Sequence, residues 1–326
     1  QFYQNHLMKT TLTLLFSLSI FTAFSQTEAQ VFQYTYEMSK EYHNKPAYSF
    51  KTKKYVPEKL FITSKCSADV LQKSANVLAQ NAVLSIREKD RNQVDVMFDA
   101  QFPPEYNCES FGLVKLQSVG SNLYNSKNKK IELSDSSFLN LGGKFKEDSN
   151  TALEYQTINK QSITLDNKDV KLKGSISYEL SFLTDYSILK LNKSNIGSTI
   201  EINGLKYQLV EVYNNKVILK KENKSTLENN IKLLIFNKNK ELLVYDEDSS
   251  NSLIYSQACG QEYFDFISKN KNYTFEEYKK QLSFKDIVTK ETLYIVLQGV
   301  GDIENDFILY EPKYELKKQF DVKLKG

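Results

Sequence analysis

Histidine is the side chain best suited to acid–base chemistry near neutral pH, and the chain has two, His6 and His43. Only His43 follows the predicted start of the mature protein, and one histidine cannot build a histidine-based zinc site. It could serve a serine or cysteine nucleophile as general base. However, the chain has no Gly-x-Ser-x-Gly motif to expose a serine, and the segment 42–46 is typical of an exposed loop. We predict no catalytic histidine.

Three cysteines, Cys66, Cys108 and Cys259, are too widely spaced to suggest a metal site. In an oxidising compartment two of them could pair, and Cys66 with Cys108 is the only pair within one half of the chain. Three reduced, buried cysteines that behave as small apolar residues are an equally good interpretation. The sequence leaves both alternatives open.

Two Ser-x-x-Lys motifs resemble the nucleophile and base of serine acyl-transfer enzymes, which carry them at the start of a helix. Ser126–Lys129 lies in a polar loop and Ser187–Lys190 in a predicted strand. Residues three apart on a strand point to opposite faces. Both motifs are interpreted as chance matches.

Acidic residues form two groups that could bind a cation. The segment 246–251 has the alternating oxygens of a calcium loop but lacks its glycine and its distant glutamate, so we interpret it as a solvated turn. Asp302, Glu304 and Asp306 would share one face of an extended strand, where they either bind a cation or protect an edge from pairing. The neighbouring segment 299–301 lacks the remaining residues of a phosphate-binding loop. We therefore predict no metal-ligating, cofactor-binding or catalytic residue.

Aromatic and basic residues indicate which partners to expect. Tyrosine occurs 21 times and tryptophan not at all. Tyrosines could stack on sugars or anchor a partner, but in a β-rich chain they are more often half-buried core residues.

The only arginines are Arg87 and Arg91, and arginine makes the forked contacts to phosphate and guanine. Nucleic acid is therefore excluded as the expected partner.

The N-terminal region has the pattern of an export signal. Met8 and Lys9 precede a short apolar run, and the small residues Ala23 and Ser25 predict cleavage before Gln26. The run is too short to span a bilayer. Residues 1–25 are thus expected to be leader and signal peptide, and the mature protein is expected in the periplasm or outside the cell, without a membrane span. With Lys9 removed, 42 basic and 40 acidic residues remain, so no anionic partner is indicated.

Beyond the leader, period-two alternation rich in aromatic and β-branched residues predicts a mainly β fold. The expected strands or hairpins are 31–38, 83–98 with a turn at 89–92, 174–180, 187–191, 231–245 with a turn at 237–240, 292–297, 307–310 and 319–324. Pro103 and Pro104 should end the strand before them. Helices are predicted at 67–82, at 261–268, and from the Thr274–Glu277 capping box to about Leu282.

The most specific local signal is Asn203-Gly204, which predicts a two-residue hairpin turn between Thr199–Ile202 and Leu205–Val212. A second turn at Asn214-Asn215 leads to Val217–Leu219. Short strands at this spacing describe immunoglobulin-like sandwich or small-barrel modules. The candidates for the buried face of the first hairpin are Ile200, Ile202, Leu205, Tyr207 and Leu209.

The mature length favours two domains, expected as a β-rich domain at 26–168 and a sandwich-like domain with short helices at 169–326. Asp169–Gly174 recurs as Asp321–Gly326, a match better explained by coincidence than by duplication. The sequence favours an exported, non-catalytic binding or structural protein that contacts a protein or a component of the cell envelope. The alternative is an exported hydrolase with a carboxylate-based site, since such sites need no histidine.

Overall fold

The structure is a computed structural model that describes residues 28–40, 42–43, 49–90, 93–101, 114–131, 156–164, 171–225, 230–245 and 252–324. The fold is mostly β, as predicted, with antiparallel sheets and short helices. Of the described helices, none is long and apolar enough to cross a membrane.

The chain forms two compact units that interleave along the sequence. Unit 1 contains Thr63–Asp185 and Lys313–Gly326, and unit 2 contains Ser25–Ile62 and Tyr186–Pro312. The domain boundary expected between residues 168 and 169 stays a prediction. The repeated hexapeptides lie partly outside the described residues.

Unit 1 combines one helix with two sets of strands. The helix is α3, and the strands are β2 to β6 with the first part of β7 and the last part of β15. Their bounds are α3 Ala68–Asn81, β2 Val83–Asp90, β3 Gln93–Gln101, β4 Val114–Asn125, β5 Lys130–Ile131, β6 Gln156–Thr164, β7 Leu172–Asn192 and β15 Asp306–Lys323. One sheet has the order β2-β3-β6, and β4 pairs with β5 and β7. A single apolar core lies between these elements and the helix.

Helix α3 confirms the prediction for 67–82. Ser67 is its N-cap and accepts a hydrogen bond from the Val70 amide, which satisfies a backbone donor that has no partner within the helix. Leu71, Ala75 and Leu78 lie on one helical face and are buried in the core of unit 1.

Unit 2 is built on a five-stranded antiparallel sheet of order β13-β14-β10-β9-β8, which we call the main sheet. Its strands are β8 Thr199–Ile202, β9 Leu205–Tyr213, β10 Lys216–Ser225, β13 Leu253–Cys259 and β14 Thr292–Gly299. The other unit 2 elements are α1 Glu28–Lys40, β1 Lys51–Lys53, α2 Pro57–Leu60, a 3-10 turn Lys193–Asn195, β11 Lys232–Ile235, β12 Leu242–Val244, α4 Gln261–Lys269, α5 Phe275–Gln281 and α6 Phe284–Val288.

The two faces of the main sheet are buried differently. Val217 and Leu219 contribute to an aliphatic core shared with β11 and β15. Ile218, which points to the opposite face, belongs to an aromatic core formed with α1, α4 and α5. One face of the main sheet is therefore covered by helices and the other by β11 and β15. This layered arrangement is consistent with the predicted sandwich-like fold.

The hairpin at Asn203-Gly204 is confirmed. Ile202 pairs with Leu205, and both turn residues have positive φ, 50° at Asn203 and 75° at Gly204, as a type I′ turn requires. Four of the five residues predicted on the buried face are buried, namely Ile200, Ile202, Tyr207 and Leu209. The fifth is a correction. Leu205 is 38% exposed, because it lies beside the turn where the core ends.

Two other predicted hairpins are present. β2 and β3 pair antiparallel from Val83 with Asp99 to Asp90 with Gln93, so both strands extend into the segment 89–92 that was predicted as the turn, and residues 91 and 92 lie outside the described residues. β3 ends at Gln101, immediately before the segment that contains the two prolines. The turn at Asn214-Asn215 joins Tyr213 to Lys216. The strands predicted at 174–180 and 187–191 are one strand, β7, and those at 307–310 and 319–324 both lie in β15.

The predicted helices of unit 2 are confirmed. α4 covers 261–269, and α5 begins at the capping box in which Thr274 and Glu277 each accept a hydrogen bond from the other's backbone. The strand predicted at 31–38 is wrong, since this segment is helix α1. Phe32 and Tyr36, four residues apart, pack on the rings of Tyr278 and Tyr273, so tertiary contacts outweigh the strand preference of aromatic residues.

Of the hairpin predicted at 231–245, only the turn is confirmed. Asn237 and Glu241 close the turn through backbone and side-chain hydrogen bonds, and Phe236 bridges to Leu242. Beyond that bridge the two strands separate, because β11 pairs with β15 and β12 pairs with β1.

Candidate functional site

A row of four side chains crosses the main sheet of unit 2 at the end nearest the β9–β10 turn. Lys216 is paired with Tyr213 on one side and with Gln298 on the other, and Gln298 is paired with Tyr255. Directly paired residues of antiparallel strands project from the same face of a sheet. Tyr213, Lys216, Gln298 and Tyr255 therefore form a continuous polar and aromatic row, which we call the strand-end row.

The strand-end row lies on the face that the helices cover. Ile218 and Val296, each two residues from a row member along its strand, belong to the aromatic core. Residues two apart on a strand share a face. The row is thus the polar continuation of that aromatic core toward the end of the sheet.

The adjoining turn is fixed by the chain segment that follows β14. The Asn215 side-chain amide donates to the Gly299 carbonyl at 2.8 Å, and the Gly299 amide donates to the Asn215 carbonyl at 2.8 Å. The Ile303 amide donates to the Asn214 carbonyl at the same distance. A Cβ on Gly299 would lie 2.1 Å from Cδ1 of Ile235 and 3.2 Å from the carbonyl oxygen of Ser252, so a larger residue there would require the Ile235 side chain to move. The geometry at this end of the row is therefore set by backbone contacts.

Lys216 is fully buried, which is unusual for a lysine. Its Nζ donates to Oδ1 of Asn215 at 3.3 Å, and it makes at least one further interaction. The lysine brings an amino group into the interior at a position fixed by the turn.

Gln298 is the unsatisfied member of the row. It is 2% exposed, and its Nε2 has no hydrogen-bond partner within the part of the chain that the structure describes. A buried donor without an acceptor costs about 1–3 kcal/mol of stability, and such groups are rare in folded proteins. The amide nitrogen of Gln298 is therefore a buried donor in need of an acceptor.

The rim of the row is aromatic and acidic. Tyr213 is 39% exposed and Glu211 is exposed, whereas Tyr255 is half-buried. Burial raises the pKa of Tyr42 above its ordinary value, and the negative charge of Glu211 raises it further. Tyr42 is therefore a neutral phenol at physiological pH, close to Glu211.

His43 lies beside this rim and is not the exposed loop residue that the sequence predicted. It is half-buried, and its Nε2 lies 2.5 Å from the carbonyl oxygen of Ile267, to which it donates. Its ring also meets that of Tyr42 edge to face, with centroids 4.9 Å apart. These contacts give His43 a structural role, joining the segment after α1 to α4.

A second buried lysine illustrates a structural use of the same side chain. Lys221 donates to Oγ1 of Thr292 at 2.7 Å and to the Ser225 carbonyl at 3.4 Å. Burial lowers the pKa of Lys221 below its ordinary value. The hydroxyl of Thr292 donates to the same carbonyl, so this group holds the irregular end of the β10–β14 pairing.

The remaining sequence candidates are dispersed. Ser126 lies in the turn after β4, while Ser187 and Lys190 lie in β7, as predicted. Asp302, Glu304 and Asp306 are exposed, whereas Ile303 and Phe307 beside them in the sequence are buried. The other acidic candidate, the segment 246–251, lies outside the described residues. In the ranges that the structure describes, no three histidine, cysteine or acidic residues are grouped so that they could hold a metal ion.

The cysteines divide into two kinds. Cys66 is disulfide-bonded, and Cys259 is free and buried. Cys108, the third, lies outside the described residues. Burial raises the pKa of the Cys259 thiol to about 12, so it stays protonated and unreactive at neutral pH. Because Cys66 is disulfide-bonded, the interpretation with three reduced cysteines is wrong.

Most of the buried tyrosines are core residues, as the sequence favoured. Tyr178, Tyr207, Tyr263, Tyr273 and Tyr278 are all at most 6% exposed. Sequence reasoning missed Lys216 and Gln298, although one signal was present: Gln298 is polar in a strand that otherwise carries a nearly continuous apolar run.

Comparison of the chain with protein-family models gives no match, and comparison with curated proteins gives none of significance.

Proposed function

We propose that the protein is an exported, non-catalytic binding protein whose ligand contacts the strand-end row of unit 2. The observation that carries this proposal is the amide nitrogen of Gln298, a buried donor without an acceptor among the described residues. A ligand that places an oxygen there would restore the hydrogen bond whose absence costs the free protein stability.

The surroundings of Gln298 suit a small ligand or a short segment of a protein partner. Tyr213 and Tyr255 stand at the two ends of the row, and tyrosine offers both an apolar ring and a hydroxyl to a bound molecule. Binding sites commonly combine aromatic surface with a few fixed polar groups. Here the polar groups are fixed by the turn that Asn215 and Gly299 lock.

The row favours binding over hydrolysis. Hydrolysis by carboxylates uses a pair of them, one on each side of the bond that breaks. Among the described residues, the row and its rim contain one carboxylate, Glu211, and it lies exposed at the edge. We therefore infer that the ligand is held and not cleaved.

Export is supported by the leader pattern and by the disulfide of Cys66, because disulfides persist mainly in oxidising compartments. The expected occupant is accordingly a protein or a component of the cell envelope.

Thermal melting tests the binding proposal. Wild type and Gln298→Met are screened with neutral sugars, acidic sugars, amino acids and short peptides, and Gln208→Met serves as the matched control. Gln208 is an exposed glutamine on β9, away from the row. A ligand at 100 times its Kd adds about 2.7 kcal/mol, a rise in midpoint of about 5–10 °C. The rise should occur in wild type and in Gln208→Met and be reduced in Gln298→Met. Equal rises in all three proteins, or none with any compound, would contradict the proposal.

Export is tested separately. Protein made with its own leader should be recovered outside the cytoplasm and should begin at Gln26, within a few residues. Recovery of uncleaved chain in the cytoplasm or in the membrane fraction would overturn this part of the proposal.

A further inference from the structure

Strand β8 forms one edge of the main sheet. It is the last strand in the sheet order and pairs with β9 alone. We propose that this edge binds the same edge of a second copy of the chain, so that the two main sheets join across a two-fold axis. The surface is separate from the strand-end row, so this interface is independent of the proposed function.

The hydrogen bonds of the β8–β9 hairpin determine which backbone groups of β8 point outward. Residues along an antiparallel pair alternate between those that bond to the facing strand and those that do not. The Leu209 amide donates to the Ser198 carbonyl at 3.0 Å, and the residues after Ser198 pair one by one with β9 up to the turn. The amide and carbonyl groups of Thr199 and Glu201 therefore point away from β9.

These outward groups have no hydrogen-bond partner among the described residues, and the side chains of Thr199 and Glu201 are exposed. The amide of Asn203, two residues further on, is already occupied, because it donates to Oγ of Ser187 at 3.3 Å. The free edge thus runs from Thr199 to Glu201. Its unpaired donors and acceptors are those that one strand offers to another.

The residues at the two ends of β8 fit a second copy. Ile196, which precedes the strand, is 43% exposed, and Leu205, which follows the turn, is 38% exposed. When two identical strands pair antiparallel about a two-fold axis, the beginning of each lies beside the end of the other. Ile196 of each copy then lies near Leu205 of the other, so pairing shields both apolar side chains from water on both copies.

The charge on β8 selects the register. With Ile200 of both copies at the axis, Thr199 of each copy faces Glu201 of the other, and all outward groups are paired. A shift in one direction places Glu201 opposite Glu201, which like charges disfavour. A shift in the other direction places Glu201 opposite Gly197, whose amide already donates to the Leu209 carbonyl. The register centred on Ile200 is therefore the one expected.

Disulfide trapping tests this register. Facing residues that exchange hydrogen bonds lie about 5.5 Å apart at Cα, a distance that a disulfide spans. An equal mixture of the mature Thr199→Cys and Glu201→Cys proteins should form a covalent dimer on mild oxidation, with twice the monomer mass on a non-reducing gel. Either variant alone should give on the order of tenfold less, because its cysteine faces Glu201 or Thr199 of the other copy. A mixture that gives no more dimer than the single variants would overturn the proposal.

Sedimentation of unmodified protein gives a second test. The interface is smaller than those of stable dimers, so the mean mass of wild type should rise with concentration over about 0.01–1 mM. Thr199→Pro removes an outward amide and keeps the bonds to β9, and should remain a monomer. Thr199→Val keeps the amide and should behave as wild type.

Melting curves establish that each variant is folded. Equal association of Thr199→Pro and Thr199→Val would show that the copies meet elsewhere and would contradict the proposal. A wild type that stays monomeric throughout, together with a mixture that is not trapped, would point to another occupant of the edge, such as an extended segment of a different protein. Neither result bears on ligand binding at Gln298, which the Gln298→Met comparison tests separately.

Discussion

Units 1 and 2 each bury a polar side chain within a sheet, but they treat it differently. In unit 1, Glu179 of β7 accepts a hydrogen bond from Nε2 of Gln319 at 3.0 Å and forms an ion pair with Lys317 at 3.2 Å. In unit 2, Gln298 of β14 has a side-chain nitrogen without a partner among the described residues. Both side chains are mostly shielded from water, at 9% and 2% exposure.

The difference separates a structural group from a candidate site. A buried polar group that is fully paired within the fold contributes to its stability and has no bond left to offer. A buried donor that the fold leaves unpaired costs stability, and such a cost is commonly found where a function requires it. The contrast between Glu179 and Gln298 therefore supports placing the proposed binding site at Gln298, although unit 1 also has a buried hydroxyl without a hydrogen-bond partner among the described residues, that of Ser74.

The largest effect is expected at Gly174 of unit 1. This residue has φ of +125°, and a Cβ there would lie 1.9 Å from the carbonyl oxygen of Asn122. Gly174→Ala therefore combines backbone strain with a backbone clash, each worth about 1–3 kcal/mol, and should destabilise the protein by about 3 kcal/mol or more. Chemical denaturation measures the loss.

Gly204→Ala is the control for Gly174→Ala. Gly204 also has positive φ, but nothing lies within 4 Å of the position that a Cβ would take there, so only the backbone strain applies. If unit 1 is purely structural, a folded fraction of Gly174→Ala should retain wild-type affinity for any ligand of unit 2. Equal losses of stability in the two alanine variants would show that the clash is relieved by small movements.

The next effect concerns the Asn203-Gly204 turn in unit 2. Gly204→Val should cost about 1–3 kcal/mol, because a β-branched residue is strained at φ of 75°. The loss should appear as a lower melting midpoint. An unchanged midpoint would mean that the turn adopts another conformation at little cost.

This turn shows what local sequence can determine. Asn203-Gly204 was predictable because φ > 0 is a property of two residues and their turn. The capping box at Thr274 and Glu277 is local in the same sense. Helix α1 was not predicted because the alternation in its sequence also fits a strand. The helix is stabilised by contacts with residues more than 200 positions away, such as the hydrogen bond from the Tyr36 hydroxyl to the Tyr273 carbonyl.

The candidate site was less predictable than the fold. Tyr213 and Lys216 belong to one local hairpin, but Gln298 joins them through pairing of β10 with β14, some 80 residues apart. No local pattern contains such a pairing. The interleaving of the two units has the same origin, since β7 and β15 each continue from one unit into the other.

One substitution made in both units sharpens the comparison. Gln298→Met should raise the stability of the free protein by about 1–2 kcal/mol, because it removes an unpaired buried donor. Glu179→Met should lower it by about 1 kcal/mol, because Gln319 and Lys317 lose their acceptor. Urea denaturation of both variants gives the two signs. A loss of stability in Gln298→Met would indicate that its amide is paired in solution, for instance by a buried water molecule.

The smallest effect is the pH dependence of Glu179. Desolvation raises the pKa of this carboxyl, but hydrogen bonds from Gln319 and Lys317, with the positive charges of Lys317 and Lys115, outweigh it and hold the pKa below its ordinary value of 4.5. A carboxyl whose pKa is lowered by folding stabilises the folded state above its unfolded pKa. That contribution is lost as the pH falls through the lowered folded value.

Wild type should therefore be more stable than Glu179→Gln at neutral pH, by up to about 1 kcal/mol, since Lys317 is largely exposed to solvent. The difference should narrow as the pH is lowered below 4.5, because both side chains are then uncharged. Urea denaturation of the two proteins at about pH 7 and about pH 3 measures it. A difference that stays constant between these values would mean that the charge of Glu179 contributes nothing, and the contrast with Gln298 would then rest on hydrogen bonding alone.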